Sequence, residues 1–210
     1  MKKQQYVLSA IALILCIALY IGGKTVPDKT AATAHTEGDG HDHSAESPQK
    51  IDFKSILAAA KATITPNQSQ RLTALENSVT RGDVKEQQIH AFHEMARFWL
   101  DSARKFELYA YYTSEAAKLE NSEKSLTFAA RLFLDRLMMS GDPAMQTWLA
   151  NNAKVLLENA LKINPANDSS RIGLGSCYLF GNISSNPMEG INMIRQVVEK
   201  NPGNVYGQMM

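Results

Sequence analysis

Three features of the sequence predict an all-α chain made of an N-terminal transmembrane helix, a disordered linker and an α-solenoid of helical hairpins. An uncharged apolar run fills Tyr6 to Gly23. Every segment after Lys50 spaces its apolar residues three or four apart, with no alternating strand pattern. One stretch near the C-terminus repeats an earlier one at an offset of 37 residues. With 210 residues, 44% of them hydrophobic, the chain is long enough for one domain and too apolar for a disordered tail. The 22 Lys+Arg against 21 Asp+Glu exclude a protein built on a basic field, so no nucleic-acid partner is expected. The two cysteines are Cys16, inside the apolar run, and Cys177, which excludes a disulfide scaffold.

Residues 1–23 read as a transmembrane signal anchor. The segment YVLSAIALILCIALYIGG, Tyr6 to Gly23, would rise roughly 27 Å as a helix, close to the thickness of a hydrocarbon core. Lys2 and Lys3 precede it and tend to stay cytoplasmic, although Lys24 weakens the asymmetry. The expected location is therefore the inner (cell) membrane, single-pass, with the C-terminal domain extracytoplasmic or periplasmic. A cleaved signal peptide is the rival reading, but its apolar core should be about 7–15 residues and end in a small-x-small site. Ala32-Thr33-Ala34 has that form and lies well beyond Ile21. A lipid-attachment signal at Cys16 is disfavoured by the bulky Leu15 before it.

Residues 24–50, KTVPDKTAATAHTEGDGHDHSAESPQK, hold no Leu, Ile, Phe, Met or aromatic side chain and cannot offset the entropy of ordering. They read as a disordered tether. His35, His41 and His43, with Glu37, Asp39 and Asp42, are weak candidates for metal binding, since a flexible chain loses ordering entropy when it closes on an ion. A solvated linker is the preferred reading, and no metal site or cofactor is expected.

Residues 51–210 read as the helical domain. Asp52 to Ala62 is a first short helix with Ile56, Leu57 and Ala60 inward, and Thr65-Pro66 supplies a cap followed by proline at the first position of the second. That helix carries Leu72, Leu75 and Val79 and stops near Gly82. From about Asp83, Ile89, Phe92, His93, Ala96, Trp99, Leu100 and Ala103 form the apolar stripe of a third. A fourth carries Phe106, Tyr109, Ala110, Thr113 and Ala117. The fifth begins near Ser122 and runs through Leu126, Ala129, Leu132, Phe133 and Leu137 to Gly141. Asp142-Pro143 repeats the cap-plus-proline device, and the helix it opens runs through Trp148, Ala153, Leu156, Leu157 and Ala160 to Asn164-Pro165.

LLENALKINPAN, Leu156 to Asn167, aligns on MIRQVVEKNPGN, Met193 to Asn204, without a gap. Leu157 falls on Ile194, Ala160 on Val197, Pro165 on Pro202, and Ala153 on Gly190. Leu174, Gly175 and Tyr178 add a Leu-Gly pair with an aromatic three residues later. These residues resemble the tetratricopeptide repeat family, whose second helix carries a small residue, a bulky one, a small one and a closing proline at this spacing. Small residues let paired helices approach, bulky ones fill the hole, and proline ends the second helix. The resemblance is clearest in 142–167 and 168–204. It departs from the family at Arg171, where an aromatic is usual, and in the longer turn Gly181–Pro187, which turns a period of 34 into 37. Before Ser122 the match is weak, with Ala110, Ser114 and Ala117 at family-like spacing.

A catalytic role has one candidate cluster, Glu86, His90, His93 and Glu94, whose spacing puts all four on one helix face. It lacks the HExxH arrangement, one helix alone rarely completes a metal site, and His93 falls in the expected apolar stripe, where a buried, satisfied histidine is the commoner outcome. No nucleophile elbow, P-loop or dinucleotide signature occurs, so the chain is expected not to be an enzyme. The resemblance implies instead a membrane-anchored scaffold of the bacterial cell envelope, with a concave groove for a protein or peptide partner. By that likeness Ser169, Ile172, Ser176 and Leu179 would face the groove, without the cationic clamp that catches a C-terminal carboxylate. Two alternatives stand beside it: a subunit similar to those of cytochrome c maturation systems that hold an apocytochrome, and weak metal handling by the histidine-bearing linker.

Overall fold

Helix boundaries in the helical region follow local capping chemistry. In a computed structural model, which describes residues 51–81 and 84–210, Asp52 caps helix α1 (Phe53–Lys61) in a reciprocal pair with Ser55. Thr65 Oγ1 accepts from Gln68 N, and Gln68 Oε1 accepts from Thr65 N, at the start of α2 (Pro66–Arg81). Helix α3 (Lys85–Arg97) continues into a π-helical turn, Phe98–Ser102, and α4 spans Phe106–Glu120. Asn121 adopts the left-handed conformation, φ 51°, and so ends α4 within one residue of the next cap. Ser122 caps α5 (Glu123–Met139), Asp142 caps α6 (Pro143–Ile163) with proline in its first turn, and Asn167 caps α7 (Asp168–Phe180). Helices α8 (Met188–Lys200) and α9 (Val205–Met209) complete the described region, which contains no strand. The expected span Tyr6–Gly23 and the tether with His35, His41 and His43 lie outside the described residues. Among the described residues no helix is long and apolar enough to cross a membrane.

Each helix from α2 onward packs against the next in sequence, and α5 touches α7 just as α7 touches α9. This neighbour-by-neighbour packing divides the core into three apolar clusters taken in chain order. The first joins α1 to α4 around Leu72, Met95, Phe98, Trp99 and Leu108. The second, around Phe133, Leu137, Trp148, Leu149 and Leu156, runs from α4 to α7. Ile172, Ile194 and Val197 form the third. Helix α4 serves two of them: Leu108 and Tyr112 face the first, Ala110 and Ala117 the second. Within the second cluster the rings of Phe133 and Trp148 meet edge to face at 5.7 Å, which adds electrostatic preference to the burial of both.

The expected stripe of the third helix needs correction. Ala96 and Trp99 are buried as expected, but the face is completed by Ala91, Met95 and Phe98, whereas His93 is exposed. Ala91, Met95, Phe98 and Trp99 stand at i, i+4, i+7 and i+8, a regular helix face rotated from the expected stripe, and the π-helical turn begins only where that face ends.

Candidate functional site

Helix α4 packs on α3 to one side and on α5 to the other, and above it a groove of about 650 Å³ opens. Its depth follows from small side chains, because Ala96, Thr113 and Ala117 line it where larger residues would fill it. Helix α3 contributes His90, His93, Glu94 and Arg97, and α5 contributes Lys124, Ser125 and Phe128. Leu100 and Tyr109 add apolar surface. Phe128 is 54% exposed although it is a large aromatic, because Leu126, Ala129, Ala130 and Phe133 occupy the buried face of α5.

Both carboxylates of the groove are already engaged. Glu120 Oε1 lies 2.8 Å from His93 Nε2, an ion pair when the ring is protonated, which ties α3 to the end of α4. A hydrogen bond from the Ser125 hydroxyl, and after it the contact with His93, hold the Glu120 carboxyl below its ordinary value against the opposing effect of burial. Glu94 Oε1 accepts from Arg97 Nη1 at 3.2 Å. Lys124 and His90, both exposed, have no ion-pair partner among the described residues.

The four-residue cluster Glu86, His90, His93 and Glu94 does not converge on one point. His93 turns to Glu120 and Glu94 to Arg97, and no group of three or more His, Cys, Asp or Glu among the described residues is placed to hold a metal ion. Cys177 is fully buried on α7, and burial pushes its thiol up to about 12, far from a reactive thiolate at neutral pH.

Of the four residues expected to face a partner, only Ser169 is exposed. Ile172 and Ser176 are fully buried, and Leu179 is half-buried against the third cluster. For Ile172 the physical reason is α9: Gly207 sits so close over it that an added Cβ would lie 3.2 Å from its Cδ1. Ser176 spends its hydroxyl on the Ile172 carbonyl at 2.9 Å, within its own helix. The repeat-pattern positions divide by role. Ala153, Leu157, Ala160, Leu174, Gly175, Gly190, Ile194 and Val197 are buried, Tyr178 is half-buried with Lys154 Nζ 5.9 Å from its ring centroid, and Pro165 and Pro202 are exposed just past the ends of α6 and α8.

The groove between α3 and α5 was missed by sequence reasoning, although one signal for it existed. Phe128 is a large aromatic lying off the buried stripe of its own helix. No family model, curated protein or solved structure matches this chain.

Proposed function

We propose that the chain is a non-enzymatic scaffold of tetratricopeptide type, which docks a segment of another protein in the groove formed by α3, α4 and α5. The observation that carries this reading is the groove itself: small residues below, an exposed aromatic on one wall, and charged side chains on both. Pairing of α5 with α6 and of α7 with α8, with Ala153 buried in the second cluster and Gly175 against Gly190 between α7 and α8, supports the tetratricopeptide likeness. A partner ring or aliphatic side chain set against Phe128 would bury area that is open to water here, which is where binding free energy comes from. The proposal places this domain outside the cytoplasm, held at the membrane by Tyr6–Gly23, so that a membrane-bound partner is met at raised effective concentration.

The test is site-specific photocrosslinking in intact cells. A benzophenone side chain at position 128 should yield a discrete protein adduct, and the same group at Val155, exposed on α6 outside the groove, should not. Equal labelling from both positions, or none from 128, removes the docking role.

A further inference from the structure

A slot of about 270 Å³ opens between α8 and α9, walled by Leu179 of α7, by Ile191, Ile194 and Val198 of α8, and by Met210. The three α8 residues stand at i, i+3 and i+7, so one apolar stripe runs along the helix beside the slot. Ile194 is buried, but Ile191 and Val198 are only half-buried although both are large and β-branched. Three polar side chains edge the slot. Gln208 is engaged, its amide donating to the Pro202 carbonyl. Arg195 and Glu199 are exposed, and neither side chain has a hydrogen-bond or ion-pair partner among the described residues. They lie one helical turn apart, on the same side of the stripe, with opposite charge. A partner of a single sign would satisfy one of them and be repelled by the other. A second copy of the chain satisfies both. Two α8 helices related by a twofold axis run antiparallel, and whatever residue i meets, its counterpart meets in return. Arg195 then faces the second copy's Glu199, Glu199 faces the second copy's Arg195, and the two apolar stripes close on each other beside them.

We infer that the α8 face beside this slot is where two copies of the chain associate as a twofold dimer. The inference stands apart from the docking groove over α4, which neither Arg195 nor Glu199 lines. Burial of Ile191 and Val198 supplies the attraction, and the paired charges set the register and the antiparallel direction. The slot is small beside a standard interface, which covers about 800 Å² on each partner, so the association is weak and depends on concentration.

The experiment is sedimentation equilibrium of the full-length chain at low salt, in a neutral detergent matched to the density of the solvent, over a wide range of protein concentration. The parent should pass from monomer to dimer as its concentration rises. Arg195→Glu sets carboxylate against carboxylate twice across the axis, and Glu199→Arg sets cation against cation, so each should weaken self-association about tenfold or more. Both positions are exposed, so circular dichroism should show the fold retained. Mixed in equal amounts, the two variants should dimerise with each other about as tightly as the parent does, because a copy with two carboxylates then faces a copy with two cations. The chain carrying both substitutions should recover as well. A parent that stays monomeric, or a parent dimer that neither substitution weakens, overturns the inference. Failure of the two variants to associate when mixed overturns it too, since that recovery is what a twofold contact of Arg195 with Glu199 requires.

Discussion

Gly175 on α7 and Gly190 on α8 touch backbone to backbone: a Cβ built on Gly190 would lie 2.3 Å from the Gly175 carbonyl oxygen, and one built on Gly175 would lie 2.8 Å from that of Gly190. Here the obstacle is main chain, which cannot swing aside as a side-chain tip can. Alanine would gain about 1 kcal/mol of helix propensity over glycine. Against that stands the separation of two packed helices, and overpacking in a tight site costs typically about 1–3 kcal/mol, occasionally more. With main chain in the way the cost lies at the upper end, about 2–3 kcal/mol, so Gly190→Ala should destabilise the domain by about 1–2 kcal/mol net, measured as a lower urea midpoint with little change in slope. A variant as stable as the parent would mean that α7 and α8 are not in this contact.

What was legible in the sequence is what is decided locally. Asp52, Ser122 and Asp142 announce their helices because an N-cap side chain needs only the amides two or three residues ahead. Gly175 and Gly190 were readable as contact points because smallness is a property of one residue. The face of α3 was not, since two apolar stripes compete on one helix, and packing of Met95 and Phe98 with Leu72 of α2 and Leu108 of α4 settles which one turns inward. Nor could Ile172 be placed, because a helix thirty-odd residues later, α9, covers it. The groove over α4 is of the same kind: it exists because of how three helices lean on one another, and only Phe128 hinted at it.

Burial alone should silence the Cys177 thiol. With the thiol pushed up to about 12, the reactive thiolate is a minute fraction at pH 8, and no path from solvent reaches the sulfur of a fully buried side chain. In a Cys16→Ser chain, a disulfide reagent at pH 8 should therefore modify Cys177 only at the rate of unfolding, and at once in strong urea. Stoichiometric modification within the mixing time under native conditions would show that α7 opens far more readily than its packing indicates.

Acid should loosen the tie between α3 and α4. The folded Glu120 carboxyl titrates below its ordinary value, first because Ser125 donates to the carboxylate and second because His93 does. A depressed carboxyl gives stability that is complete above the unfolded value and is lost as pH falls through the folded one. The contribution at neutral pH is small, about 0.2–1 kcal/mol, because the side chains of His93 and Glu120 are 47% and 29% exposed. Asp52, lowered chiefly by the Ser55 amide, adds to the same acid loss, so the informative quantity is the difference between variants. Glu120→Gln should be slightly less stable than the parent at pH 7 and should converge with it as the pH falls through the folded Glu120 midpoint. Carbon NMR of the Glu120 carboxyl should then order the causes, with Ser125→Ala raising its titration midpoint more than His93→Ala does. The reverse order would mean that the imidazolium, and not the Ser125 hydroxyl, holds Glu120 ionised beneath the groove.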